Sequence, residues 1–272
     1  MPELPEVETI RRGLSKFILK KRLIKFDKND FDATLVALRR FGKALVMDFD
    51  NGWSLMVHLR MTGQLIFVGE ERFAGGHPSE NYVAELPNKQ TRVIFEFENG
   101  KLFFNDQRKF GFVKAIRTDE VEQDDFIKKL GKEPWEMTVD ELWEKLQHHR
   151  QALIKAVLLD QTIMAGLGNI YADEALFYAG VHPATRVGNL TKEEVARILE
   201  GARVMMQQSI DAGGSTMRNY VKADGTRGDY LDKFAQVFNR QGQKCMRCGG
   251  EIVKIRVAGR GTHICPRCQE AK

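Results

Sequence analysis

The chain has 272 residues, of which 43% are hydrophobic and 29% charged, and its formal net charge at pH 7 is +5. This composition is typical of a globular protein, and the length predicts about two domains. The modest positive charge permits a polyanionic partner without requiring one. The sequence has no apolar run of the ~18 residues that a membrane span needs and no apolar stretch of the signal-peptide kind at its start. We therefore expect a cytoplasmic protein with no membrane segment.

The first three residues, Met1-Pro2-Glu3, have a chemical consequence. Because Pro2 is small, Met1 can be removed, and the new N-terminus would be a secondary amine. An α-amino group titrates near ~7.7–8.0, so part of it is unprotonated at neutral pH and can form a Schiff base with a carbonyl carbon. The neighbouring Glu3 carboxylate can carry protons. The alternative is a fixed-φ proline that only opens a helix, and these residues by themselves favour it.

Between residues 5 and 18, apolar residues recur every three or four positions and predict an amphipathic helix. The pattern then changes to short runs that favour strands, at 43–49, 53–60, 64–68, 91–98, 101–105 and 110–116. Asn-Gly pairs at 51–52 and 99–100 favour tight hairpin turns between these runs. We expect a β-sandwich with a leading helix in a first domain of residues 1–116, with residues 69–88 as a loop insertion.

Three clusters between the predicted strands have candidate functional residues: Arg39-Arg40-Phe41-Gly42-Lys43, His58 to Gly63 with Met61 at the strand end, and Asp106-Gln107-Arg108-Lys109-Phe110-Gly111. The alternatives are a solvated basic turn for the first, core packing for Met61, and a solvated basic loop for the third. A protein that opens a base stack has a use for such tips, because an apolar tip fills the void and an arginine can pair with the orphaned base.

An acidic stretch at 117–137 is the predicted linker to a helical domain at 138–241. Its first helix starts at Thr138, which has capping-box spacing to Glu141. Helices are also predicted at 151–159, 171–178 and 192–212. A turn with two glycines joins the helix at 151–159 to the helix at 171–178. Such a turn brings backbone amides close to a phosphate, to which Asn169 can add an amide and Lys155 a charge. The alternative is a helical hairpin with packing glycines. Residues 215–234 are predicted to form a mobile binding loop.

The strongest local signal is a pair of Cys-x2-Cys motifs separated by sixteen residues, formed by Cys245, Cys248, Cys265 and Cys268. This spacing predicts a tetrahedral four-thiolate Zn²⁺ site in a C-terminal segment of residues 242–272. Four cysteines complete such a site, so His263 is not expected to be a ligand. Strands predicted at 251–257 and 262–264 place Arg260 on a rigid turn at 258–261, where it suits phosphate or minor-groove contact.

Together, six segments resemble the bacterial formamidopyrimidine-DNA glycosylases: Met1–Glu8, Arg39–Lys43, His58–Gly63, Arg108–Gly111, Ala165–Tyr171 and the four-cysteine hairpin with Gly259-Arg260-Gly261-Thr262. The resemblance runs from end to end and reverses the structural alternatives given above. It implies an α+β multidomain fold: a β-sandwich with a leading helix, a helix-two-turn-helix domain and a zinc-finger hairpin, with DNA bound in the cleft between the two halves. The implied partner is damaged double-stranded DNA, bound by a monomer.

The implied activity is excision of oxidised purines, such as 8-oxoguanine and formamidopyrimidines, followed by β- and δ-elimination at the abasic site. The resemblance assigns Pro2 as the nucleophile at C1′ of the damaged nucleotide and Glu3 as the proton donor. Lys43 matches the lysine associated with β-elimination, and Arg260 matches the arginine assigned to δ-elimination.

The resemblance also implies DNA contacts, at His58, Met61, Arg92, Arg108, Lys109, Phe110, Lys155 and Asn169. Met61, Arg108 and Phe110 match the residues that fill the space left by the flipped base, and residues 215–229 match the loop that covers the everted purine. Three positions depart from the common family pattern. Arg92 replaces a frequent histidine, Gln151 a frequent lysine and Phe238 a frequent tyrosine, which puts lesion preference and DNA affinity more in doubt than catalysis.

Three other functions fit parts of the sequence. An endonuclease VIII-type enzyme would prefer oxidised pyrimidines, but residues 4–9 and the long loop at 215–229 favour the purine enzyme. A non-catalytic zinc-containing DNA-binding protein would have no use for a free Pro2 amine or for Lys43. A zinc-stabilised protein-interaction module would leave the grouping of Met61, Arg108 and Phe110 without a reason.

Overall fold

The computed structural model describes residues 1–77, 79, 83–214 and 233–271. These residues divide into two compact units, residues 1–128 with 212–214 and residues 129–211 with 233–271. The predicted recognition loop at 215–229 lies outside the described residues. Among the helices in the described ranges, none is both long and apolar enough to cross a bilayer.

The first unit begins with helix α1, Leu4–Ile18. Glu3 is its N-cap, and the Glu3 backbone N–H donates to Glu6 Oε2 at 2.8 Å. The apolar face of α1 is fully buried and packs into the core of the unit through Val7, Ile10 and Leu14. The predicted helix is therefore confirmed, and it holds the first residues of the chain on a rigid element.

The described residues of this unit then form nine antiparallel strands: β1 Arg22–Phe26, β2 Asn29–Phe41, β3 Ala44–Phe49, β4 Trp53–His58, β5 Gly63–Gly69, β6 Arg72–Gly76, β7 Thr91–Phe97, β8 Gly100–Asp106 and β9 Phe112–Arg117. Their order in the sheet is β6-β5-β8-β7-β1-β2-β3-β4-β9. The first half of β2 pairs with β1 and its second half with β3, so this long strand joins two layers. Buried residues of both layers and α1 form one core. This arrangement is the predicted β-sandwich.

Strands β1, β2 and β6 were not predicted. The proposed loop insertion at 69–88 contains β6, which pairs with β5 and packs against α1. Glycine makes that packing close, because a Cβ on Gly75 would lie 2.6 Å from Ile10 Cγ1. The predicted linker at 117–137 begins with a 3-10 helix, Thr118–Gln123, and a short helix α2, Asp125–Lys128, both inside the first unit.

The second unit contains helices α3 Val139–Gln147, α4 Ile154–Leu158, α5 Asn169–Ala179 and α6 Lys192–Asp211, a 3-10 turn Val187–Asn189, and the hairpin β10 Val253–Val257 with β11 Arg260–Ile264. The capping box at α3 is present, with the Glu141 N–H donating to Thr138 Oγ1 at 3.2 Å. Phe177 of α5 shares a small core with Val237, Ile252 and two of the cysteines, so the zinc hairpin packs on the helical domain.

Candidate nucleic-acid site and metal centre

The N-terminal residues are buried except for the first. Met1 is 42% exposed, whereas Pro2 is buried and Glu3 is 3% exposed. His77, which was not among the predicted site residues, lies close enough to the N-terminal amine for the positive charge to affect its pKa. Burial lowers the pKa of His77 and the positive N-terminal amine lowers it further, while Asp106 opposes the shift. The N-terminal amine therefore lies within electrostatic range of His77, the residue that follows β6.

Lys43 lies in the two-residue turn between β2 and β3, where Gly42 has a φ of 53°. Its side chain is buried, and its charge reaches His58 on the neighbouring strand. The pKa of His58 falls to about 3, first because of burial and then because of the positive charges of Arg60 and Lys43. His58 is thus a neutral imidazole at neutral pH.

The protonation pattern of that imidazole is set by its neighbours. His58 Nδ1 accepts the Arg60 backbone N–H at 3.0 Å, so the ring proton is on Nε2. Phe112 stacks on the ring at 5.8 Å and Phe126 meets it edge-on at 5.3 Å. A neutral His58 is thereby held as an Nε2–H donor, which is a group that a phosphate oxygen can accept from.

Met61, Arg108 and Phe110 lie on two loops that leave the sheet at the same place. Met61 is 38% exposed and Phe110 57% exposed, although both are apolar. The Arg108 guanidinium lies 4.8 Å from the centre of the Phe110 ring. Lys109 between them is exposed and has a left-handed φ of 58°. Exposed apolar tips beside cations are what insertion into a base stack requires.

Arg92 was predicted to contact DNA in place of a family histidine. Its Nε donates to the backbone oxygen of Asp106 at 2.8 Å, and its Nη1 donates to the backbone oxygen of Lys89 at 3.2 Å. Two of its five N–H donors are therefore used within the protein, and Arg92 helps hold the end of β8.

Lys155 was predicted to add a positive charge to a DNA-binding face, and the structure places its side chain in the interior of the second unit. Its side chain is 0% exposed, and Nζ donates to Asp173 Oδ1 at 2.5 Å and to Thr262 Oγ1 at 2.7 Å. Asp173 Oδ2 in turn accepts the backbone N–H of His263 at 2.9 Å. The physical reason is a buried carboxylate on α5, which draws the ammonium inward. Lys155 thus joins the helical domain to the zinc hairpin.

Asn169 is the first residue of α5, so the orphan N–H groups of a helix N-terminus lie beside it. Its Nδ2 donates to the backbone oxygen of Gly261 at 3.0 Å, and Lys155 Nζ lies 3.3 Å from the same oxygen. Two residues of the helical domain therefore fix the hairpin one residue after Arg260. Arg260 itself is exposed and pairs with Val257 as the first residue of β11, so the turn is shorter than predicted.

The Sγ atoms of Cys245, Cys248, Cys265 and Cys268 all lie within 4.8 Å of one another. Cys248 and Cys265 are 3.4 Å apart and Cys245 and Cys268 3.9 Å apart, far beyond a disulfide bond. Tetrahedral Zn²⁺ with bonds of about 2.3 Å places its sulfurs about 3.8 Å apart, so the four cysteines fit the ion. When bound, the metal supplies a structural cross-link between the two ends of the hairpin.

Comparison with known proteins bears on every part of the chain. Residues 1–113 match a family model described as the formamidopyrimidine-DNA glycosylase N-terminal domain, and residues 130–221 match the H2TH domain of the same enzymes. Residues 242–271 match a zinc finger found in FPG and IleRS. A formamidopyrimidine-DNA glycosylase of Desulfitobacterium hafniense is 40% identical over 287 residues, covering 99% of this chain and 100% of the relative. The chain belongs to the formamidopyrimidine-DNA glycosylase family.

Other members of the family agree with this assignment. The Pelotomaculum thermopropionicum glycosylase is 40% identical over 290 residues and covers 100% of both chains. A Lactococcus lactis FPG mutant in complex with Fapy-dG-containing DNA superposes with a TM-score of 0.87 at 35% identity, covering 99% of this chain and 100% of that chain. A complex of the Lactococcus lactis enzyme with abasic-site DNA gives 0.86 at 35% identity, covering 98% and 99%.

Family membership confirms the predicted fold class and the single structural zinc. It does not favour the endonuclease VIII-type or non-catalytic alternatives. The sequence predicted no role for the buried acids Asp106 and Asp173, which hold site residues in place. Asp106 had one usable signal, since an aspartate directly before a loop commonly bonds backbone N–H groups further on.

Proposed function

We propose that the chain is a DNA glycosylase with abasic-site lyase activity, which removes oxidised purines from duplex DNA. The observation that carries this proposal is the match over 99% of the chain, in which sandwich, helical domain and zinc hairpin are all present. The substrate class follows from relatives named for formamidopyrimidine and from a neighbour that binds Fapy-dG-containing DNA. We further propose that the enzyme is cytoplasmic and acts on DNA as a monomer.

In the proposed reaction, Met1 has been removed and the Pro2 nitrogen attacks C1′ of the damaged nucleotide. The C1′–N9 bond breaks, and its electron pair leaves with the oxidised base, which is then protonated. Glu3 takes the proton that the Pro2 nitrogen loses after the attack and gives it to the sugar ring oxygen as the ring opens, and an iminium forms between Pro2 and C1′. The burial of Pro2 and Glu3 supports this step, because it places the nucleophile next to the proton donor on a rigid element out of bulk water.

Strand cleavage would follow by β-elimination, in which the iminium acidifies the C2′ proton and the 3′ phosphate leaves. Lys43 is proposed to assist this elimination and Arg260 the subsequent δ-elimination of the 5′ phosphate. His58, as a neutral Nε2–H donor, is proposed to bind a backbone phosphate, as are Lys109 and the α5 N-terminus at Asn169. Met61, Arg108 and Phe110 would occupy the gap in the duplex.

The test is borohydride trapping on a duplex with one 8-oxoguanine opposite cytosine, followed by mass spectrometry of the N-terminal peptide. Borohydride reduces the iminium to a stable amine, so a covalent adduct on Pro2 is expected. The matched control is the same protein with a short N-terminal extension that keeps Pro2 in an amide bond, which should give no adduct.

Two other outcomes would contradict the proposal. An adduct that forms only on an oxidised-pyrimidine duplex would assign the enzyme to the endonuclease VIII type. Binding of DNA without any adduct or strand cleavage, in protein with Met1 removed and zinc bound, would make it a non-catalytic binder.

A further inference from the structure

Asp106 is a buried acid at the root of the two loops that hold the exposed tips. It is the last residue of β8, is 1% exposed, and pairs in register with Gly63 at the start of β5. One loop, residues 59–62, precedes Gly63 and holds Met61. The other, residues 107–111, follows Asp106 and holds Arg108 and Phe110. A single side chain therefore lies where both loops leave the sheet.

The Asp106 carboxylate is bonded to both loops. Oδ1 accepts the Thr62 hydroxyl of the first loop and the Arg108 backbone N–H of the second, the latter at 3.2 Å. Oδ2 accepts the Gly111 backbone N–H at 2.7 Å. Thr62 Oγ1 also accepts the Arg108 N–H, at 3.0 Å. The hydrogen bonds of the Asp106 carboxylate and the Thr62 hydroxyl thus connect the two ends of the second loop and link it to the first loop.

Both loops contain a non-glycine residue in the left-handed region next to a tip residue. Arg60, before Met61, has a φ of 48°, and Lys109, between Arg108 and Phe110, has a φ of 58°. This backbone conformation is unfavourable for side chains with a Cβ and persists only where surrounding bonds impose it. Bonds to Asp106 at Arg108 and Gly111 flank Lys109, and the Thr62 bond to Asp106 lies two residues after Arg60, so these bonds are well placed to impose it.

Charge argues that Asp106 does not itself contact DNA. A carboxylate beside Arg92, Arg108 and Lys109 would repel phosphates if it were exposed. Asp106 is buried, and both of its oxygens accept protein donors. Its role is therefore internal to the protein.

We propose that Asp106 is a positioning residue for base eversion, which holds Met61, Arg108 and Phe110 in one arrangement before DNA binds. This inference rests on the proposed function. Three separate tips that had to be ordered on the DNA would each lose conformational freedom during binding, whereas a preformed set does not. The preformed set fills the space left by the flipped base as the base leaves the stack.

The test compares Asp106→Asn and Thr62→Val with Asp48→Asn as the matched control. An amide at position 106 keeps one acceptor oxygen but loses the other, and valine removes the hydroxyl at constant shape. Asp48 is also buried in the sandwich, where its carboxylate accepts hydrogen bonds from Arg39 Nε at 2.6 Å and from the Ser54 hydroxyl at 2.5 Å. It lies at the end of the β3–β4 pair that is opposite to the loop of residues 59–62. Each variant is measured by amide hydrogen exchange and by kinetics.

The expected result has two parts. In free protein, exchange at the Arg108 and Gly111 amides rises in both variants and not in the control. In kinetics, kcat/KM for excision from the 8-oxoguanine duplex falls by about tenfold, as expected for misplaced groups. Cleavage of a duplex with a preformed abasic site changes less than about twofold, because no base has to leave the stack there.

Two results would overturn the proposal. One is an equal loss on both duplexes, which would show a general structural defect. The other is unchanged excision despite faster exchange, which would show that the tips do not need to be held. If the wild-type protein cleaves neither duplex, the proposed function itself fails and takes this role with it. The wild-type reaction therefore distinguishes the two failures.

Discussion

At the scale of single residues, His58 connects the packing of the sandwich to the pH dependence of its stability. Its pKa is about 3 in the folded protein and 6.5 for an unperturbed histidine. Between these values the unfolded chain binds a proton that the folded protein does not, so stability is present above pH 6.5 and is lost as the pH falls towards 3.

We expect the wild-type protein to lose about 2 kcal/mol more than His58→Gln between pH 7 and pH 5, at about 1.4 kcal/mol for each pH unit below 6.5. The measurement is urea unfolding at both pH values, followed by the fluorescence of Trp53. Replacing Trp135 and Trp143 by phenylalanine leaves Trp53 as the single tryptophan. Equal pH dependence in the two proteins would show that His58 is not held neutral.

At the scale of elements, the clearest predictions came from local signals. The capping box at Thr138 and the two cysteine pairs each act within a few residues, and both are present in the structure. Strands β2 and β6 were missed because their signal is not local. β2 alternates only from Ala33 onward and has charged residues at both ends, and β6 ends in two glycines that suit it to packing on α1.

The environment of the site residues also depends on contacts between residues that are distant in the sequence. The sequence identified Lys155 and Lys109 alike as basic residues near possible phosphate contacts, but one is fully buried and the other exposed. The difference is set by Asp173, eighteen positions further along the chain than Lys155. Which lysine is exposed therefore depends on tertiary packing that no local pattern encodes.

The buried ion pair of Lys155 and Asp173 leads to a prediction that separates the two lysines. Lys155→Met leaves the Asp173 carboxylate buried without its cation, which should destabilise the second unit by about 3–5 kcal/mol. The double variant with Asp173→Asn should recover part of this loss. Chemical unfolding followed by Trp135 and Trp143, in a Trp53→Phe background, measures both.

Lys109→Ala is the matched control for that experiment. As an exposed residue it should change stability by less than about 0.5 kcal/mol. It should instead reduce the slope of log affinity against log salt by about one, as expected for a lost phosphate contact. If Lys155→Met instead kept its stability but its DNA affinity depended less on salt, Lys155 would be a direct DNA contact.

At the scale of the whole molecule, the two units have separate cores, and this separation decides what zinc removal should do. Each residue of the sandwich core belongs to the first unit, whereas Cys245, Cys265 and Cys268 pack in a small core with Phe177 of the second. The metal joins the two ends of the hairpin that holds Arg260, and such small sites unfold without their ion. Zinc removal should therefore disorder the hairpin and leave the sandwich folded.

We expect chelation, verified by metal analysis, to leave the fluorescence of Trp53 and its urea transition unchanged. Affinity for an 8-oxoguanine duplex should fall, and the slope of log affinity against log salt should decrease by about one, because Arg260 no longer contributes a phosphate contact. Arg260→Ala in zinc-loaded protein is the control, and it should reproduce the change in slope without disordering the hairpin. Unchanged DNA binding after complete zinc removal would show that the hairpin is dispensable for binding, and a shifted Trp53 transition would show that the stability of the sandwich depends on the metal.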